Sequence, residues 1–312
     1  FPVRVYLPAF LVLVYFAIIV LSEKPIDEFN TYTYFSNKKK LLSVLIVTVI
    51  FSILTSFFSY RWILAEHYYS FARSFSKADL SKFTSSISDS KGLVRLKAES
   101  QVLITLKALE YNNFAPNYYI LTAEGLINLE SFETAILYLK KAIDISPFNT
   151  KALLNLALIY RSGGLKEDLK MEKKILEFIL SFDSKNVKAL SYLVRSLAED
   201  GRSKDAKVVY QRMKINFEYF KDRHNFGPYH KDVGFVAISV RDYQYARYIY
   251  QDAIKRFPTA ENYINLGMIE FDLLKNKAEG IKMYKKAIEM DPDIDVSKKI
   301  KDIITKYETS SK

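Results

Sequence analysis

Two uncharged apolar runs open the chain, and a helical pattern of apolar and polar positions fills the rest. Residues 5–21 (VYLPAFLVLVYFAIIVL) and residues 41–60 (LLSVLIVTVIFSILTSFFSY) carry no charged side chain. A hydrocarbon core about 30 Å thick is crossed by ~20 helical residues. The second run therefore predicts a full transmembrane helix, and the first predicts one near the lower limit of length. Ser43, Thr48, Ser52, Thr55 and Ser56 lie within the second run, where hydroxyls can bond back to helix carbonyls or to neighbouring helices. The next segment, RWILAEHYYSFARSF, predicts an amphipathic helix with Trp62 near the membrane interface. The polar stretch SKADLSKFTSSISDSKG then reads as a hinge.

From residue 93 onward apolar residues recur at three- and four-residue spacing, with polar breaks about every 34 residues. In 116–149, Tyr119, Ala123 and Leu126 share one helix face, and Ala135, Leu139 and Ala142 share a second that stops at Pro147. This unit resembles the tetratricopeptide repeat, in which small residues sit where two helices cross and proline ends the second. KKAIDISPFN, QDAIKRFPTA and KKAIEMDPDI are three copies of one helix ending. Gln101, Thr105 and Ala108 form the second helix of a degenerate earlier unit, and the segment 171–182 lacks the expected small residues. The last unit, from Asn265-Leu266-Gly267 to Tyr284 and Ala287, carries one extra residue in its turn.

The predicted fold is all-α: two transmembrane helices followed by a tetratricopeptide-repeat helical solenoid of five or six units. Residues 1–60 form the membrane region, 61–92 the juxtamembrane helix and hinge, 93–295 the solenoid, and 296–312 a C-terminal helix and tail. A single hairpin cannot bury its own apolar face, whereas stacked neighbours make a continuous core. The concave face of such a stack is built from first helices, where the register places Asn117, Glu124, Asn128, Lys151, Arg161, Lys188 and Arg195. That face is the expected site for a protein partner.

Composition narrows the chemistry. The 312 residues include no cysteine, which excludes disulfides, thiolate metal sites and a cysteine nucleophile. Nine glycines and eight prolines exclude a collagen-like chain. The net charge of +11 is spread through pairs such as Lys140-Lys141, Lys173-Lys174 and Lys285-Lys286 on second helices, which reads as a solvated outer face. No aromatic-basic motif for nucleic acid accompanies it. Of the three histidines, His67 beside Glu66 reads as part of an interfacial polar face, and His224 and His230 have no second ligand at i+3 or i+4, so no metal site is expected. Asp291-Pro292-Asp293-Ile294-Asp295 lacks the glycine and distal glutamate of a calcium loop. No catalytic residue and no cofactor site are expected.

The layout carries a further resemblance. YFAIIVL in the first span, NKKKLLSVLIVTVIF entering the second and RWILAEHYYSFA leaving it precede the repeats. This order is similar to the C-terminal end of bacterial O-antigen ligase/polymerase-like membrane proteins. The resemblance implies glycan transfer from a lipid-linked donor by residues of an upstream region. Phe1 opens directly into an apolar run, which fits a longer protein with further spans. Lys24 and Lys38-Lys39-Lys40 outnumber Arg61, Arg73 and Lys77 across the second span. The positive-inside tendency then places the repeats outside a bacterial inner membrane. Two other readings stand: a non-enzymatic, membrane-tethered scaffold for an envelope assembly, secretion or motility complex, and a eukaryotic mannosyltransferase of similar layout.

Overall fold

The computed structural model describes residues 38–78, 90–163, 166–222, 229–292 and 297–310. The expected first span at 5–21, most of the hinge, His224 and the acidic run 293–295 lie outside the described residues. Among the described residues every regular element is helical, and the chain divides into two compact units at Pro147 and Phe148.

The first unit begins with α1, Lys38–Lys77, followed by α2, Ser90–Tyr111, α3, Pro116–Asn128, and α4, Phe132–Ile145. At 1.5 Å per residue, the 40 residues of α1 make a rod of roughly 60 Å. The helix does not break between Tyr60 and Arg61, so the apolar run and the amphipathic segment are one element. By length and composition its stretch Ile46–Lys77 can cross a membrane, and only that one helix among the described residues can. Ser52 and Thr55 donate to the carbonyls of Thr48 and Ser52 at 2.8 and 3.0 Å, which satisfies both hydroxyls inside their own helix.

Beyond Arg61 the character of α1 changes. Ala65 and Ala72, two turns apart, are fully buried because α2 packs along them. The two helices run antiparallel: Arg61 donates to the carbonyls of Glu110 and Tyr111 at one end, and Lys97 donates to that of Ala78 at the other. The first helix of the degenerate unit is thus the second half of α1, in a segment read from sequence as a juxtamembrane connection. Gln101 and Thr105 stand where the repeat has apolar residues, yet both are buried. Gln101 donates to the Leu121 carbonyl at 2.7 Å, and Thr122 donates to the Thr105 hydroxyl at 2.9 Å, so neither polar group is left unmet.

The second unit contains α5, Thr150–Gly163, α6, Lys166–Phe182, α7, Val187–Glu199, α8, Ser203–Phe220, α9, Tyr229–Ser239, α10, Tyr243–Arg256, and α11, Ala260–Met268. A π turn, Ile269–Leu273, then leads to α12, Lys277–Met290, and α13, Ser297–Ser310. The helices pair as hairpins α5/α6, α7/α8, α9/α10 and α11/α12, and α13 covers α12. Each second helix buries the same ladder at i, i+4 and i+7. It is Ala135, Leu139, Ala142 in α4; Ala206, Tyr210, Met213 in α8; Ala246, Tyr250, Ala253 in α10; and Gly280, Tyr284, Ala287 in α12.

Small residues let these helices touch. A Cβ on Gly234 would lie 2.5 Å from the Tyr250 ring, and one on Gly267 would lie 2.6 Å from the Tyr284 ring. The second of these contacts spans one residue more than the first. The extra residue is absorbed by the π turn, where Leu274 donates to the Ile269 carbonyl at 2.8 Å, five residues back as a π bulge requires. Four hairpin turns also share one closure: Glu130, Gly201, Arg241 and Lys275 hold positive φ of 59, 74, 64 and 63°. The next amide in each reaches back to a carbonyl of the last helical turn at 2.8–2.9 Å, a Schellman-type stop. One of the four is glycine, so sequence punctuation reveals only that turn.

Candidate docking surface on the first helices

In the second unit α7 and α9 are first helices that pack side by side. Lys188, Tyr192, Arg195 and Glu199 follow one another along α7 at spacings of three and four, so they share one face. The ammonium of Lys188 lies 5.7 Å from the Tyr192 ring centre, and Arg195 bonds Glu199 at 3.3 Å one turn on. From α9, Phe235 places its ring 4.9 Å from the Arg195 guanidinium carbon and remains 49% exposed. Asp232 lies one turn earlier on α9. Burial pushes its carboxyl above the ordinary range, against the opposing pull of Lys188, Lys231 and Arg195. Tyr192 is buried against the same surface, and desolvation raises its hydroxyl. At the edge Lys231 pairs with Glu261 of α11.

The sequence-predicted residues separate into three groups. Lys188 and Arg195 lie on this surface, as described. Arg161 is spent within the fold: its guanidinium bonds Glu172 of α6 at 2.9 Å and Glu199 of α7, leaving 9% of the side chain exposed. Lys151 is exposed near the start of α5, while in the first unit Asn117 and Asn128 are exposed on the first and last turns of α3, with Glu124 half-buried between them. Tyr192, Asp232 and Phe235 are the additions that only the structure supplies. Their signal was register: Phe235 is the counterpart of Arg195 one unit later, but that unit is 40 residues long rather than 34.

The pairing of Arg161 also explains the irregular unit. Aligned on its neighbours, α6 buries Glu172, Leu176 and Ile179 as its ladder. Glu172 therefore occupies the small-residue position of Ala135 or Ala246 and is fully buried. Burial pushes its carboxyl up, opposed by Arg161 and by a hydrogen bond with Ser196.

Of the two described histidines, one is packed in the core and the other is exposed. His230 is buried in α9, edge-on to Phe217, with Nε2 2.9 Å from Asp252. His67 sits edge-on to Tyr68, while its neighbour Glu66 accepts from Tyr118 at 3.0 Å. Among the described residues no trio of carboxylate and imidazole groups gathers in a way that could hold a metal.

The tetratricopeptide repeat family model matches residues 118–149 and 260–294, which are the α3/α4 and α11/α12 hairpins. No curated protein matches the sequence. Among solved structures, the chain is similar to the human IFIT1 dimer with m7Gppp-AAAA, at 15% identity and a TM-score of 0.55, over 74% of this chain and 57% of that one. It is similar to a chain of the APC/C hetero-tetramer Cut9-Hcn1 at 12% identity and a TM-score of 0.53, over 78% and 47%. It also matches YrrB, a TPR protein with an unusual peptide-binding site, at 22% identity and a TM-score of 0.39, over 64% and 97%. At these identities the first two likenesses concern the fold alone. The chain carries tetratricopeptide repeats, and every regular element among its described residues is helical.

Proposed function

We propose that the chain is a membrane-tethered docking module whose first helices in the second unit hold a segment of a partner protein. The observation that carries this reading is the α7/α9 surface. There cationic Lys188 and Arg195, the Asp232 carboxylate and the half-exposed Phe235 ring stand together on a scaffold of buried helices. Arginine and aromatic side chains dominate the energy of protein interfaces, and a partner segment with an apolar anchor and charges of both signs suits this set. A photo-crosslinking residue at Phe235, compared with one at Val208 on second helix α8, tests it. Val208 is 72% exposed and serves as the outer-face control. An adduct at 235 and none at 208 is expected, with Arg195→Ala and Phe235→Ala each weakening the captured partner about tenfold or more. Adducts at 208 alone overturn the reading.

The tether is α1, whose uncharged length matches a bilayer. The order of lysine-flanked span, aromatic helix and repeats supports a finer placement. It fits the C-terminal part of an O-antigen ligase/polymerase-like glycan-transferring protein of a bacterial inner membrane, with the repeats extracytoplasmic and the lipid-linked glycan handled upstream. Coding sequence before Phe1 that encodes further spans and a large loop bearing arginine and histidine is the expected finding. A start codon within a few residues leaves the non-enzymatic scaffold reading instead.

A further inference from the structure

Phe114, 80% exposed, stands in the turn between α2 and α3 and is the most exposed of the large apolar side chains described. Its level along α1 follows from the contacts of Arg61. That guanidinium lies 5.7 Å from the centre of the Phe57 ring, one turn back into the apolar run, and from there bonds the last carbonyls of α2. The end of α2 is therefore level with the last turn of the uncharged run. The chain then reverses, and Tyr118 of α3 meets Glu66 further up α1. The turn 112–115 is thus the end of the α2/α3 hairpin nearest the apolar run. From Tyr111 to Ala123 the sequence carries no charge, and Tyr111 and Tyr119 flank the turn, with the Tyr119 hydroxyl donating to the Asn113 carbonyl.

We propose that this turn is a second membrane contact, in which Phe114 enters the lipid interface and seats the first hairpins on the bilayer surface. The inference rests on α1 being the membrane tether. An uncharged aromatic tip is what the interface favours, because a ring gains from leaving water while nearby polar backbone stays hydrated among headgroups. Arg61 closes the arrangement: with its donors directed to α2 carbonyls, it ties the hairpin to the helix where that helix leaves the apolar layer. Two attachments, one spanning and one interfacial, would limit the swing of the repeats about the tether.

The test uses the full chain in phosphatidylcholine–phosphatidylglycerol vesicles. Trp62 is the only tryptophan, so Trp62→Phe provides a silent background for Phe114→Trp, Ile50→Trp and Val208→Trp. The expected result is blue-shifted emission from position 114 relative to 208, with quenching by lipids brominated near the headgroup. Position 50 should be quenched best by lipids brominated near the chain ends. Emission at 114 that matches 208, while 50 is quenched deeply, overturns the interfacial contact and leaves the tether standing. No lipid quenching at 50 overturns the tether and the contact together. Phe114 is exposed, so its replacement should leave the helical melting profile unchanged.

Discussion

In the α9/α10 hairpin the helices meet at Gly234 and Ala246, and the Tyr250 ring fills the place where a Gly234 Cβ would stand. In the α5/α6 hairpin the position of Ala246 is held by Glu172, a fully buried carboxylate answered by Arg161 from the facing helix. The backbone path is shared, yet one crossing is closed by shape and the other by charge. Shape costs nothing in desolvation, whereas a buried ion pair is secure only while both partners remain. A repeat can therefore lose its signature residue and keep its fold if a neighbouring helix supplies the opposite charge. The charged solution also recruits Glu199 of α7, linking one hairpin to the next.

The comparison can be broken most sharply at Arg161. Arg161→Ala strands Glu172 in the core and should destabilise the α5/α6 region by about 3–5 kcal/mol. The double change Arg161→Ala with Glu172→Ala, which restores the small residue of the repeat, should recover a large part of that loss. Hydrogen exchange of α6 amides measures both, and equal losses in single and double variants would contradict the pairing.

On the shape-closed side the effect should be smaller and should depend on what the added methyl meets. A Cβ on Gly280 lies 2.8 Å from the backbone nitrogen of Phe271 in the π turn, whereas one on Gly234 meets only the Tyr250 ring. Both substitutions by alanine overpack a close crossing, worth about 1–3 kcal/mol. Gly280→Ala should stand at the upper end, because backbone yields less than a ring. The urea midpoint of the helical signal should rank them in that order.

Gly201→Ala isolates backbone strain, since φ is 74° and nothing lies within 4 Å of the new Cβ. A loss of about 1 kcal/mol is expected, readable as faster exchange in the last turn of α7.

Acidification should separate the two hairpins with the least perturbation. Glu172 has its carboxyl raised by burial, so its contribution is fully present below the ordinary glutamate range and is lost as pH rises through the raised value. For Asp252 burial also pushes upward, but hydrogen bonds from His230 and Arg256 outweigh it and the carboxyl is lowered. Its contribution is present above the ordinary aspartate range and is lost as pH falls through the lowered value. Lowering pH from neutral toward about 4 should therefore favour α6 relative to α10 in exchange corrected for intrinsic rates. Glu172→Gln should abolish the response of α6 alone.

Much of this architecture is legible in the sequence. The ladders of α4, α10 and α12 could be located because their helix endings are similar in sequence and a large residue, Leu139, Tyr250 or Tyr284, stands three positions before the alanine of each ending. The α6 ladder was hidden, because glutamate at a small-residue position looks like a surface residue until its partner is known. Of the α7/α9 surface proposed for docking, Lys188 and Arg195 follow from register, whereas Asp232 and Phe235 stand one 40-residue unit further on, off the 34-residue spacing.

The sequence by itself determined the uncharged run of α1, the helical class and the spacing of the hairpins, because hydrophobic period, charge and chain length are local properties. Only the tertiary structure decided that the second half of α1 pairs with α2, that Arg161 belongs to the core, and that Phe114 is level with the apolar run. Each of those depends on which side chains meet across helices, and that is set by the close approach of packed backbones rather than by any one segment's composition.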